Sequence, residues 1–131
     1  MTPLAIDDHL LNQVIAAIKA LQGQIRWKPG KDIEHLRTRQ DYGHVPASAT
    51  MADYEAIIAS ILHDSSADVY VYLWRSGTIY PTVVTNRDTR LWLVMFGLDG
   101  IMETAFPPTD PERYLSDSRF QYLGTIEDLV L

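Results

Sequence analysis

The feature that most constrains this chain is a change in the period of its apolar residues near position 65. Ahead of that point they recur every three or four residues, and beyond it they alternate, so the first part is built for helices and the second for strands. Leu11, Val14, Ile15, Ile18 and Leu21 make one helical face, with Thr2-Pro3 as N-cap and first helical residue and Gly23 closing the far end. Thr50-Met-Ala-Asp forms a capping box ahead of Tyr54, Ile57, Ile58, Ile61 and Leu62, which predicts a second amphipathic helix over about 51–63. Between the two, residues 24–27 read as a short strand and 32–39 as a brief helix.

Val69, Val71 and Leu73 then alternate with Tyr70, Tyr72 and Trp74, and Arg75-Ser-Gly turns the chain into a returning strand over 78–85. Asn86-Arg-Asp-Thr turns it again into the nearly continuous apolar run 91–96, which suits a central strand buried on both faces. Gly97-Leu-Asp-Gly leads into a last strand over 101–106, ended by Pro107-Pro108. Pro81 lacks an N–H for the ladder and is expected at an edge or bulge. Asp110-Pro-Glu-Arg-Tyr-Leu reads as one helical turn, followed by a short packed tail. The predicted fold is α+β: two N-terminal helices packed on a four-stranded antiparallel β-meander, with a short C-terminal helical turn. With 131 residues, 47% of them hydrophobic, one core and a single domain over 1–131 are expected. Its parts are the N-terminal helix (1–23), a basic His/Arg segment (24–49), the second helix (50–64), the sheet (68–107) and a C-terminal segment (108–131).

Charge narrows the function classes. A net charge of −6 argues against general nucleic-acid binding, which rests on phosphate neutralisation by Lys and Arg, so any such site must be local. A local basic stretch exists: Arg26, Lys28, Lys31, Arg37 and Arg39 face only Asp32 and Glu34 in the same segment. The absence of cysteine removes thiol catalysis and disulfides. The four histidines show no metal-ligand spacing, and no cofactor loop occurs, so neither a metal nor a cofactor is expected. The opening residues lack the pattern of a secretory signal and no apolar run reaches membrane-spanning length, so a cytoplasmic protein without a membrane partner is expected.

The polar stretch Lys31-Asp-Ile-Glu-His-Leu-Arg-Thr-Arg holds the residue types that phosphodiester chemistry without a metal requires, a proton-transfer group beside cations. Its His-Leu-x-x-Arg pattern precedes the aromatic-Gly pair Tyr42-Gly43, a helix carries Asp53-Tyr54-Glu55, and the last meander strand reads Glu103-Thr-Ala-Phe-Pro-Pro. Together these resemble the superfamily that unites barnase, the EndoU nucleases, colicin-D-type toxins and RelE, in particular its phage-associated and polymorphic-toxin branches. The resemblance implies a ribonuclease in which His35 transfers the proton, Arg37 or Arg39 holds the scissile phosphate and Thr104 faces the site from the last strand. The chemistry would be RNA transesterification through the ribose 2′-hydroxyl, with Glu34 orienting His35 and His44 as second proton carrier. Lys31, Tyr42, His44 and Tyr72 are the candidate substrate-binding residues, with Tyr80 and Trp74 as further stacking surfaces. The partners expected are RNA and a cognate protein. Two other classes fit the acidity better: a non-catalytic protein-interaction module using the sheet's aromatic residues, and an immunity or inhibitor protein complementing a basic nuclease.

Overall fold

The computed structural model describes residues 6–130. The first helix, α1, spans Asp8–Gly23 and buries Leu10, Val14, Ala17, Ile18 and Leu21. Its N-cap is Asp7, whose carboxylate accepts a hydrogen bond from the Leu10 N–H at 2.8 Å and so satisfies one donor that the first turn leaves free. Thr2 and Pro3 lie outside the described residues. Residues 24–27 form no strand of their own. Trp27 makes a single parallel bridge to Met102, whose N–H donates to the Arg26 carbonyl at 2.8 Å.

A full second helix, α2 (Lys31–Asp41), follows, entered through Gly30 in the left-handed region at φ 81°. The brief helix expected over 32–39 is thus present and runs one residue further at its start and two at its end; it adds a third helix to the two expected to pack on the sheet, and its composition explains the difference. Its one buried residue is Arg39, so it carries no apolar stripe for periodicity to detect. The next helix, α3 (Met51–Leu62), has the predicted capping box: Thr50 N–H donates to the Asp53 carboxylate at 2.8 Å and Asp53 N–H to the Thr50 hydroxyl at 3.1 Å. Tyr54, Ile58, Ile61 and Leu62 are its buried face.

The four predicted strands form the expected meander: β1 (Asp68–Leu73), β2 (Ile79–Arg87), β3 (Arg90–Phe96) and β4 (Met102–Phe106). After the short helix α4 (Pro111–Leu115), the segment read as a tail supplies a fifth strand, β5 (Phe120–Thr125), before the terminal helix α5 (Ile126–Val130). β5 pairs antiparallel with β1, so the sheet order is β4-β3-β2-β1-β5 and β4 is an edge. Pro81 lies in the interior strand β2 and not on an edge. It pairs with Val71, and the β2–β3 ladder opens only at Thr82 opposite Met95, so the proline stands where β2 has a partner on one side.

Alternation sends the two sets of strand residues to opposite faces. Val69, Val71, Val83, Trp92, Val94, Phe96 and Ala105 join the buried residues of α1 and α3 in the main core. Tyr72, Val84, Leu93 and Met95 make a smaller core on the other face, packed with Tyr70, Phe106, Leu115 and Phe120. The run 92–96 is therefore buried on both sides, as its composition requires. Tyr54 ties α3 to the edge strand, its buried hydroxyl donating to the Ala105 carbonyl at 2.6 Å.

Candidate active site

Helix α2 lies along the β4 edge, and two repeat lengths match there. His35 and Arg39 are one helical turn apart, while Thr104 and Phe106 are two residues apart on one face of an extended strand. Those spacings are both about 6 Å, so successive members of one row meet successive members of the other. His35 Nδ1 comes to 3.4 Å from Thr104 Oγ1, joining positions 69 residues apart in the chain. The Arg39 guanidinium lies 5.4 Å over the Phe106 ring.

The His35 ring is half-buried and packs 5.5 Å from the Trp27 ring. Trp27 is in turn fixed by its indole N–H, which donates to the Glu55 carboxylate at 3.1 Å, and by the Tyr54 ring 5.9 Å away. Burial lowers the pKa of His35 below its ordinary value, Arg39 and Lys31 push the same way, and Glu34 and Glu103 oppose them. The imidazole is therefore neutral at pH 7, as a proton acceptor must be. With Nδ1 at Thr104, Nε2 is the nitrogen left for a substrate.

Arg39 is 7% exposed, and its Nε has no hydrogen-bond partner among the described residues. Its Nη1 lies 3.0 Å from His44 Nδ1. A guanidinium only donates, so Nδ1 accepts and the His44 proton is on Nε2. Burial lowers the His44 pKa, and the charges of Arg39 and Arg90 lower it further. Among the described residues the ion pairs are Lys31 with Glu34 and Arg119 with Asp117, so no carboxylate neutralises Arg39. Beside it opens a cleft in two lobes of about 320 and 260 Å³, which share Tyr42, His44 and the turn at 107–109 and are flanked by Arg39 and Arg90. Tyr42 is 71% exposed and stacks on the His44 ring at 5.7 Å and 21°.

The structure thus brings His35, Arg39 and Thr104 together, with His44 and Tyr42 next to them. Arg37 points elsewhere: two residues along a helix from both partners, it is exposed. Lys31 is an exposed side chain paired at 3.2 Å with Glu34, so the carboxylate expected to orient His35 holds a lysine instead. Tyr72 lies on the sheet face away from α1 and α3, in the same small core as Phe106, 4.6 Å from Phe120 and under Arg119 at 5.2 Å; β2 and β3 stand between its strand and β4, which sets it apart from His35 and Thr104. Trp74 and Tyr80 share that face by strand alternation. Trp27 and Arg90 escaped sequence reading, one because it precedes the basic motif and the other because a single arginine after a turn carries no pattern.

Among the described residues no three His, Asp or Glu side chains are grouped to hold a metal ion, and no helix is long and apolar enough to cross a membrane. Compared with protein-family models, curated proteins and solved structures, the chain matches none.

Proposed function

We propose that this chain is a metal-independent endoribonuclease-like domain, of the toxin type that its resemblance to the barnase, EndoU, colicin-D and RelE superfamily implies. The observation that carries the reading is the meeting of His35 with Thr104 across 69 residues, one helical turn from a buried arginine that has no anion. A buried cation without a counter-charge costs several kcal/mol, and a phosphate would offset it. In the reaction, neutral His35 accepts the ribose 2′-hydroxyl proton through Nε2 while Thr104 holds the ring through Nδ1. The 2′ oxygen bonds to phosphorus, the bond from phosphorus to the 5′ oxygen breaks, and Arg39 grips the non-bridging oxygens as their charge grows. The products are a 2′,3′-cyclic phosphate and a 5′-hydroxyl. Once phosphate occupies Arg39, the His44 Nδ1 loses its donor and gains a neighbouring negative charge; both raise its affinity for a proton, which it takes from water and then passes to the departing 5′ oxygen, while the proton held by His35 returns to solvent.

The test is cleavage of total RNA in the presence of a chelator by the wild type, His35→Ala and Arg37→Gln. Wild type and Arg37→Gln cut, and His35→Ala is slower by about 10²-fold or more, the usual worth of a positioned proton-transfer group. Equal cutting by His35→Ala would remove that residue from the mechanism, and no cutting by the wild type would remove the reading.

One observation favours a non-catalytic alternative. On the sheet face away from α1 and α3, Trp74 and Tyr122 are 39% and 52% exposed, and the same face holds a cavity of about 460 Å³ lined by Tyr72, Tyr114, Phe120 and Arg119. An interaction module, including an immunity protein, would use that face, and Trp74→Ala would then abolish partner binding with His35→Ala silent.

A further inference from the structure

The cleft between Arg39 and Arg90 carries more than the transfer of a proton. Arg39 and Arg90 border it, His44 and Tyr42 form one wall, and no carboxylate lines it. In a chain of net charge −6, a concave surface with two guanidinium groups and no acid is a local feature and not a consequence of composition. The acid next in sequence, Asp110, is used elsewhere, accepting a hydrogen bond from the Arg113 N–H at 3.3 Å as the cap of α4. Arg90 is exposed and has no ion pair among the described residues, yet its charge is felt at His44.

Tyr42 supplies the second element. Tyr42, at the end of α2, is held by its stack on the His44 ring and by the Arg39 guanidinium 5.8 Å over its own ring, and at 71% exposure it still presents most of its surface to solvent. Base-on-aromatic stacking needs such a platform. The opposite wall is the Pro107-Pro108 turn, which has no N–H to offer at either proline, and the exposed Thr109, whose hydroxyl both donates and accepts. Cation, flat ring and cation in sequence match a single-stranded nucleic acid, which alternates phosphate and base; an acidic peptide would use the arginines and leave the Tyr42 face empty.

We propose that this cleft seats the nucleotide next to the scissile bond, with its base on Tyr42 and the adjoining phosphate on Arg90 while Arg39 holds the scissile phosphate. The placement rests on the ribonuclease reading, but the seat itself is measured without cleavage. The probe is a fluorescein-labelled hexaribonucleotide methylated at every 2′ oxygen, which has no attacking group, followed by anisotropy at several salt concentrations. Tyr42→Ala weakens binding roughly tenfold, within the range for loss of one stacked base. Arg90→Gln weakens it too and lowers the slope of log affinity against log salt by about 0.7, one phosphate contact on a single strand. Arg75→Gln, at the far β1–β2 hairpin, leaves both unchanged. Tyr42 and Arg90 are exposed, so both variants keep the fold, which circular dichroism verifies. No binding by the wild type, wild-type affinity in both variants, or displacement of the probe equally well by inorganic phosphate or by oligoglutamate would each overturn the proposal. Binding that depends on Tyr42 and Arg90 in a protein that cuts no RNA would retire the catalytic reading and keep the seat. Cleavage with unaltered binding by the two variants would do the reverse.

Discussion

Replacing Arg39 by methionine should stabilise the free protein while destroying its activity. As a residue Arg39 is 7% exposed, its Nε is buried without a partner and no carboxylate pairs with it, while the cleft it borders keeps the rest of the guanidinium within reach of solvent. Desolvating it costs several kcal/mol, and the unsatisfied N–H is part of that penalty. Three contacts work against the cost: the hydrogen bond to His44 at 3.0 Å, and the stacking over Phe106 at 5.4 Å and Tyr42 at 5.8 Å. Charged hydrogen bonds contribute about 1.5–3 kcal/mol and cation–π contacts about 0.5–1 kcal/mol each, so the opposing terms nearly cancel. Methionine keeps an unbranched apolar stem as far as the position of Nε, gives up the guanidinium's contact with the Phe106 ring and removes the charge. Exchanges of buried ion pairs for apolar residues of like volume are neutral to stabilising by about 1–4 kcal/mol, and a single cation at the edge of a cleft, whose bond to His44 is lost in the exchange, lies at the low end. Urea unfolding should therefore give Arg39→Met a midpoint at or above that of the wild type, about 0–2 kcal/mol more stable, whereas Arg39→Ala, which also empties the site of its stem, should be less stable than Arg39→Met. The reasoning fails if Arg39→Met loses more than about 1 kcal/mol, because the charge would then be part of what holds α2 to β4.

Three further outcomes follow from the same geometry. Thr104→Val keeps the shape of the side chain but removes the hydroxyl at 3.4 Å from His35, and should lower kcat about tenfold with stability almost unchanged; an unaltered pH–rate profile and kcat would show the contact to be incidental. Tyr54→Phe deletes the 2.6 Å bond to the Ala105 carbonyl and should cost about 1–1.5 kcal/mol in urea unfolding, and no change at all would mean the carbonyl finds another donor. His35 and His44 both have pKa values below the ordinary 6.5, so the unfolded chain takes up their protons first. Their contribution is complete above pH 6.5 and is lost as the pH falls through their folded values, while Asp117, held at about 2 by Arg119, loses its contribution only below 3.8. The urea midpoint should accordingly drop between pH 7.5 and 5, less steeply in His44→Asn, and the acid limb of kcat/KM should lie below 6.5.

How far the chain can be read without coordinates differs between its parts, for physical reasons. Helices α1 and α3 and the meander announce themselves because each buries one face, and burial imposes a period on the residues that supply it. Helix α2 is legible as a brief helix from its polar stretch, but it buries an arginine where others bury leucine, so nothing in its pattern shows that it packs as a third helix against the sheet edge. Strand β5 was missed because Phe120-Gln-Tyr-Leu-Gly-Thr alternates weakly and owes its pairing to β1, some fifty residues earlier, which no local pattern encodes. At the site, the choice between Arg37 and Arg39 was available from helical geometry, since only Arg39 shares a face with His35. The partnership of Arg39 with His44, and the nearness of Arg90, arise where a loop, a helix end and a strand start converge, and were not available.

The most direct measurement of the central claim uses a deoxyoligonucleotide containing one ribonucleotide, incubated with the protein and a chelator and analysed by mass spectrometry. Cleavage only on the 3′ side of the ribose, leaving a 2′,3′-cyclic phosphate, with no reaction of the all-deoxy strand, is the result the His35–Arg39–Thr104 site predicts. An intact strand, or cuts at deoxy positions, would contradict it.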